Sequence, residues 1–409
     1  MFVNDFAPIV KSYIDPGTGS MLFTVLLGLI SAATYGVRGF VIKVKSLSNK
    51  DDVKNYNSIP FLIYTDSKRY WNTFKPICDE FEKRKINVSY YTQSFDDPAL
   101  DENYNYVDVL FIGEGNKGIG KMNFVSADIV LSTTPSLDVY QWKRSKNAKY
   151  YIHIPHACAD LTMYRMFGID YFDAVLLTSS IFTKQVRKLE ELRKLPSKDI
   201  EVVGLTYFDE MKKRLDGIGN ISNKNPVVLL APTWGGSSLL NVYGDKIIDR
   251  LIETGYEIVV RPHPQSYVSE KGLIKKLKEK YPEIGWNEDN DNFDILNKAD
   301  ILISDFSGVM FDFSLIFDKP VLYSKYKFDN SIYDAWWLDE ELWTHKVLPL
   351  LGEEINENNI DNIKGIIDQC INDGKYQNGR NEARRQAWEN VGNSANAIVD
   401  FMIKKQKGT

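Results

Sequence analysis

The chain has 409 residues, 44% hydrophobic and 26% charged, enough to bury the cores of two ordinary domains in a globular protein. A formal net charge of −5 argues against nucleic-acid binding through a basic surface. Three cysteines, Cys78, Cys158 and Cys370, lie far apart with no CxxC pair, which excludes a disulfide framework or zinc site and suits a reducing compartment.

Residues 1–15 carry no signal. Residues 16–37 are 22 residues without a charge, about the length that spans a bilayer core. Arg38, Lys43, Lys45 and Lys50 follow the run, whereas Lys11 alone precedes it among basic residues. That asymmetry predicts a membrane anchor within residues 1–48, with everything after Arg38 on the cytoplasmic face. An interfacial or buried helix is the alternative reading. A signal peptide fits poorly, because the basic flank follows the apolar run.

A polar linker, 49–58, leads into alternating strands and helices. Strands are predicted at 61–64, 88–91, 109–112, 129–131, 150–154, 174–177 and 200–203, with helices at 67–84 and 181–193. The run GIGNISNKN, 217–225, reads as an interior linker. A second alternation follows, with strands at 227–230, 258–260, 301–303 and 321–322, and helices at 245–253, 269–280, 309–317 and 358–371. A last helical pattern, about 381–405, is long enough to return to the first domain. Strands spaced by helices mean parallel, doubly wound sheets. The fold class is therefore α/β with two Rossmann-like domains facing a cleft: 49–216, 217–380, and a C-terminal helix and basic tail at 381–409.

Polar clusters recur where strands end. They are His153 to Ala157 after 150–154, Ala231 to Ser237 after 227–230, Arg261 to Pro264 after 258–260, and Ser304 to Gly308 after 300–303. Ligands of such sheets bind outside the carboxyl ends of the strands, so four clusters on one rim point to a site. At the last cluster a strand runs into a helix start whose free N–H groups, Gly308 and the hydroxyls of Ser304 and Ser307 suit a phosphate; an ordinary helix cap is the bland alternative. Arg261 and His263 flank Pro262, which stiffens the backbone, and a guanidinium and an imidazole suit phosphate oxygens; a structural ion pair and a helix cap would be the alternative roles. His153 falls inside a strand pattern and reads as a core histidine. His156 lies just past the strand and could accept a proton from an alcohol, with Asp160 or Asp173 as candidate orienters. His345 reads as unremarkable.

Taken together, APTW (231–234), RPHP (261–264), SDFSGVMFDF (304–313) and KPVLY (319–323) resemble the CDP-glycerol glycerophosphotransferase family in order and spacing. The first half resembles it more loosely, through His156 and the strand that runs into Ser179 and Ser180. The resemblance implies a GT-B fold, membrane association, and transfer of a polyol phosphate from a CDP-linked donor to a hydroxyl of a lipid-linked glycan, in teichoic-acid-type polymer synthesis. It implies His156 and His263 as catalytic residues, and Arg261, Ser304, Asp305, Ser307, Gly308 and Thr233 as donor-phosphate contacts. No clustered set of acids and histidines demands a metal, and Mg²⁺ on the pyrophosphate stays open. The chain departs from the family at His156-Ala157-Cys158-Ala159, where His-Gly-Thr-Pro is usual. It also departs at Tyr333 to Trp337, where an Arg-Gly pair is usual, and at Leu348 to Leu350. These departures leave the polyol open. A glycosyltransferase using a nucleotide sugar and a catalytically silent membrane scaffold are the competing readings.

Overall fold

The computed structural model describes residues 58–408 except 290, 306 and 326–328. The uncharged run at 16–37 and its basic flank lie outside the described residues. Among the described residues no helix is long and apolar enough to cross a membrane.

Seven strands form the first sheet: β1 (Ile59–Thr65), β2 (Val88–Thr92), β3 (Val107–Phe111), β4 (Ala127–Ser132), β5 (Ala148–His153), β6 (Ala174–Leu177) and β7 (Asp199–Val202). They stand in the order β3-β2-β1-β4-β5-β6-β7, every neighbour parallel. The second sheet has β8 (Val227–Leu230), β9 (Glu257–Val260), β10 (Gly285–Trp286), β11 (Ile301–Ser304), β12 (Val321–Tyr323) and β13 (Gly352–Glu354). Its order is β10-β9-β8-β11-β12-β13, again all parallel. Both sheets are doubly wound. The order reverses between β1 and β4 in the first and between β8 and β11 in the second, which opens a crevice at each carboxyl edge.

Every strand expected from the sequence is present. Two were not expected, β10 and β13, and they are the two edges of the second sheet. One is two residues long and the other reads Gly-Glu-Glu, so neither carries an apolar run to detect. The central β8 and β11 are buried throughout because helices cover both faces. Val227, Leu229 and Leu302 join one core cluster, and Val228, Leu230, Ile301 and Ile303 join the cluster on the opposite face.

Two helices depart from the sequence expectation. The C-terminal pattern is not one helix but two, Gln377–Ala387 and Ser394–Gln406. Asn390 and Gly392 take positive φ (53° and 76°) at the break, and Asp209 accepts from the Gly392 and Ser394 amides at 2.8 and 3.0 Å. The second of them packs on the first sheet, where Ile398, Val399, Phe401 and Met402 share a core with Phe74 and Phe81. The segment after Gly308 is helical only over Val309–Phe311, then widens into a π turn over Asp312–Ile316.

That π turn places Asp312 in a buried pocket, 3.2 Å from the Tyr207 hydroxyl. Burial pushes its carboxyl up to about 7. The folded state therefore binds the proton more tightly than the unfolded chain, and stability from this group is lost as pH rises from about 4 to 7, at about 1.4 kcal/mol per pH unit. Asp312→Asn should gain relative to the parent on going from pH 4.5 to 7.5. A melting-temperature difference that is the same at both pH values would show that Asp312 titrates normally.

Candidate functional site

The first sheet contributes three strand ends. After β1, the Ser67 hydroxyl caps a turn that carries Arg69 and Tyr70. After β4 comes Thr133, fully buried. After β5 comes Pro155-His156-Ala157.

His153, the last residue of β5, is fully buried; its Nε2 lies 3.2 Å from the Tyr164 hydroxyl and its ring packs on Phe172. Burial pushes its pKa down to about 3. It is a core histidine, as expected. His156 lies three residues on and is half-buried. The Tyr70 ring covers it at 4.6 Å, and its Nδ1 is 2.9 Å from Thr133 Oγ1. Burial, then the nearby Arg69 charge, push its pKa down to about 4. Its orienter is thus Thr133. Neither acid named from the sequence plays that part: Asp160 accepts from the Trp343 and Thr344 amides at 3.1 and 2.8 Å, and Asp173 holds Arg144 and the Tyr151 amide at 2.8 and 2.7 Å.

The second sheet faces it. A Cβ built on the exposed Gly308 would sit 3.9 Å from the Ala157 Cβ, so the Ser307–Gly308 turn and the His156 loop meet across the cleft. Ser307 is half-buried there, and the Met310 amide bonds its carbonyl at 3.2 Å. Two of the residues assigned to the phosphate seat are turned away from it. Ser304 is fully buried and its hydroxyl donates to the Ala231 carbonyl at 2.6 Å. Asp305 is buried and accepts from the Thr233 and Leu239 amides, both at 2.8 Å. A strand-end Asp next to a Gly-rich loop suits this task, because a carboxylate satisfies two amides that no strand or helix can. The pair brace the loop 231–239 against β11 and leave the seat to Ser307 and Gly308. Hydrogen bonds to a charged group are worth about 1.5–3 kcal/mol each, so Asp305→Ala should destabilise the fold by about 3 kcal/mol or more. Thermal unfolding checks this, and an unchanged midpoint would contradict the bracing role.

Thr233 is half-buried at the start of that loop. The partly exposed Trp234 ring lies 6.5 Å from the His263 ring. His263 accepts the Gln265 amide on Nδ1 at 3.1 Å, so the proton of the neutral ring sits on Nε2. Burial, then Arg69, push its pKa down to about 4. Arg261 donates to the Asn287 side chain and, at 2.8 Å, to the Asp289 carbonyl. Both acceptors are neutral, and the Asp289 and Asp291 carboxylates act on its charge from nearby. It is anchored by these two bonds and not by the ion pair that the alternative role named.

Arg69 belongs to this group although nothing in the sequence analysis pointed to it. Its charge adds to burial in depressing both His156 and His263, so the exposed cation lies within electrostatic reach of each ring. Tyr70, Thr133 and Tyr164 were missed as well. Arg69, Tyr70 and Thr133 lie just past the ends of β1 and β4, the two strands at the first sheet's reversal point, so a search of every strand end for polar groups would have found them. A cavity of about 360 Å³ opens beside the seat, lined by Asp305, Ser324, Lys325, Leu342 and His345. Among the described residues no group of three His, Cys, Asp or Glu side chains is placed to hold a metal ion.

Comparison with known proteins bears on the family and the fold. Residues 204–403 match the family described as CDP-Glycerol:Poly(glycerophosphate) glycerophosphotransferase. The teichoic acid glycerol-phosphate primase of Bacillus subtilis is 31% identical over 134 residues, 31% of this chain and 32% of that protein. The protein of the same name from Bacillus spizizenii is 29% identical over 114 residues, 26% and 27% of the two chains. The matched stretch thus spans about a third of the length of these curated relatives. Among solved structures, the wall teichoic acid polymerase TagF superposes with a TM-score of 0.58 at 17% identity, covering 93% of this chain and 98% of that one. The UDP-GlcNAc 2-epimerase of Methanocaldococcus jannaschii superposes with a TM-score of 0.51 at 15% identity, covering 84% and 99%. At these identities the likeness carries the fold alone, a GT-B-like pair of Rossmann-like domains. Residues 204–403, which hold the APTW, RPHP and SDFSG stretches, are the part of the chain that carries the pattern of the CDP-glycerol:poly(glycerophosphate) glycerophosphotransferase family.

Proposed function

We propose that the protein transfers a polyol phosphate, glycerol phosphate, from a CDP-linked donor to a hydroxyl of a membrane lipid-linked glycan and releases CMP. The observation that carries this reading is the pairing across the cleft. His263, with its proton held on Nε2, and Arg261, bonded to neutral acceptors, lie on the donor side; a neutral His156 lies on the other, with Arg69 acting on both imidazoles.

The donor's pyrophosphate is received by Arg261, His263 Nε2–H, the Ser307 hydroxyl and the amides of the Ser307–Gly308 turn. The cytidine occupies the cavity beside Asp305 and Ser324. An acceptor hydroxyl enters from the first domain. Its oxygen forms a bond to the distal phosphorus while the bridging P–O bond breaks, and the bridging oxygen leaves on CMP. His156 takes the hydroxyl proton. Arg69 faces the transferring phosphoryl oxygens. Positioning and charge stabilisation do the work, as in phosphoryl transfer generally.

The test is incubation with CDP-glycerol or UDP-sugars and a lipid-linked acceptor, scoring CMP or UDP. CMP release that depends on CDP-glycerol and acceptor supports the reading. UDP release from a nucleotide sugar would make the protein a glycosyltransferase, and nucleotide binding without turnover a scaffold.

The same reading holds the enzyme at the cytoplasmic face of the membrane through residues 16–42, on the strength of the uncharged run and its basic flank. Deleting residues 1–48 should release soluble protein that still binds nucleotide. Full-length protein that is already soluble would count against the anchor.

A further inference from the structure

The segment between β12 and β13 leaves three large apolar side chains at the surface: Ile332, Trp336 and Trp337 are 50%, 59% and 38% exposed. Phe167 of the first domain is 41% exposed. Single exposed apolar side chains are ordinary, but these four are gathered at one junction. The Met166 amide bonds the Ile332 carbonyl at 3.1 Å, and Arg165 pairs with Tyr333 as an antiparallel bridge. Trp337 Nε1 donates to Met166 Sδ at 3.2 Å. The Phe167 and Trp337 rings lie 4.9 and 5.0 Å from one guanidinium, that of Arg193. Phe167 is kept at the surface against its backbone preference. Its φ is 68°, a left-handed conformation that bulky residues rarely adopt, and Asp334 Oδ1 holds its amide there at 2.7 Å. The proposed transfer uses none of these four side chains.

Two observations point to what covers them. The first is their chemistry. Three of the four are aromatic and two are indoles, whose apolar body and single N–H suit the headgroup level of a bilayer better than water or a dry core. The exposed Arg165 and Lys194 adjoin them in the chain and suit headgroup phosphates; the exposed Glu340 nearby is already paired with Lys184. The second is the tether. About 20 residues separate Arg38, the basic end of the uncharged run, from Ser58, a reach of at most about 70 Å. A body of this size has a radius of gyration of about 20 Å. An anchor at 16–37 therefore keeps residues 58–408 beside the bilayer and lets any face turn to it, so the surface chemistry chooses the face.

We propose that Phe167, Ile332, Trp336 and Trp337 form an aromatic face that docks residues 58–408 on a lipid bilayer, a second contact separate from the N-terminal anchor. The tether argument rests on the reading of residues 16–42 as that anchor; the face itself does not. The docked face adjoins the site through the chain, because Tyr164, whose ring lies 6.3 Å from that of His156, immediately precedes Arg165. Docking here thus brings the His156 loop toward the surface from which a lipid-linked hydroxyl would come.

The test exploits the tryptophans. The chain has eight, and none precedes Trp71, so tryptophan quenching by lipids brominated in their acyl chains reports on the body and not on the anchor. The full chain is mixed with vesicles of phosphatidylcholine and phosphatidylglycerol, and flotation is scored beside quenching. The parent should float and be quenched. Trp336→Phe keeps an aromatic ring at the face, so it should float as well but lose part of the quenching. Phe167→Asn combined with Ile332→Ser keeps all eight tryptophans; asparagine tolerates the left-handed backbone. With an unchanged far-ultraviolet spectrum, this variant should lose the quenching. If it still floats, face and anchor both stand; if it no longer floats, the face stands and the anchor reading falls. A parent that floats without being quenched overturns the face and leaves the anchor, and a dimer of the parent that the double variant abolishes would then make a second copy the occupant. Quenching that is the same in the parent and in both variants also overturns the face. A parent that does not float overturns both.

Discussion

His156→Ala should lower turnover by about 10²–10⁴-fold, the usual contribution of a general base, and leave donor binding unchanged. The geometry separates the two effects. The groups assigned to the donor's phosphates, Arg261, His263, Ser307 and Gly308, all belong to the second domain, whereas His156 stands on the loop after β5 of the first. It touches the acceptor hydroxyl only as the proton leaves, so its removal costs the transition state and not the ground state. The pH dependence should carry the same signature. Burial and Arg69 hold the free imidazole at about 4, so it is neutral and competent as a base down to about pH 5 and is lost below that as it protonates. A bound pyrophosphate brings negative charge to the cleft and raises the pKa again. The acid limb of kcat, which reports the complex, should therefore lie at higher pH than the acid limb of kcat/KM. His153→Ala removes a fully buried ring and the partner of Tyr164, so its main effect should be on melting temperature. A stable His153→Ala protein without turnover, beside an active His156→Ala protein, would exchange the two roles.

Where polar clusters follow the strands is more legible in the sequence than what each of their residues bonds. Strand ends are legible because an apolar run stops abruptly at polar residues, and all four clusters read that way follow the carboxyl ends of β5, β8, β9 and β11. What each polar residue does there is set by partners distant in sequence. Ser304 and Asp305 look like anion ligands beside a helix start, but their acceptor and donors are the Ala231 carbonyl and the amides of Thr233 and Leu239. A buried polar group takes the nearest unpaired backbone group first, and the periodicity of a single chain does not reveal which loop that is. Lys319 of the KPVLY stretch is a similar case: its ammonium caps the Ala299 carbonyl at 2.7 Å and bonds that of Asn297. Arg69 was invisible for another reason. A lone Arg four residues past a strand is common, and only the fold brings its charge within reach of both His156 and His263.

The second large effect is expected at Asp334, in the segment where the chain departs from the usual family pattern. Asp334 lies between β12 and β13 of the second sheet, yet its side-chain partners belong to the first domain. Oδ1 accepts from the Phe167 amide at 2.7 Å and from Arg193 at 2.6 Å, and Oδ2 accepts from the Gly168 amide at 3.0 Å. Arg193 donates from its other terminal nitrogen to Asp170 at 2.6 Å. The side chains of Arg193, Asp170 and Asp334 are 4%, 4% and 0% exposed, and the guanidinium is sandwiched between the Phe167 and Trp337 rings at 4.9 and 5.0 Å. Main-chain bonds run alongside, from the Met166 amide to the Ile332 carbonyl at 3.1 Å and from the Asp334 amide to Tyr164. Such a pair need not stabilise more than a well-packed apolar pair would, but removing one member strands the other charge away from water, which costs about 3–5 kcal/mol. Asp334→Ala should therefore lower stability by about that amount, the largest loss expected from a single substitution outside the apolar core. Asp334→Asn keeps the shape but cannot serve as acceptor on both sides, so it should fall between the two. Because the same strap holds the Tyr164 backbone, and the Tyr164 ring packs beside that of His156 at 6.3 Å, turnover of the surviving folded protein should drop in both variants while donor affinity holds. Denaturant unfolding beside single-turnover rates measures the two effects separately. An Asp334→Ala protein with an unchanged unfolding midpoint would show that the strap rests on the first domain without holding it.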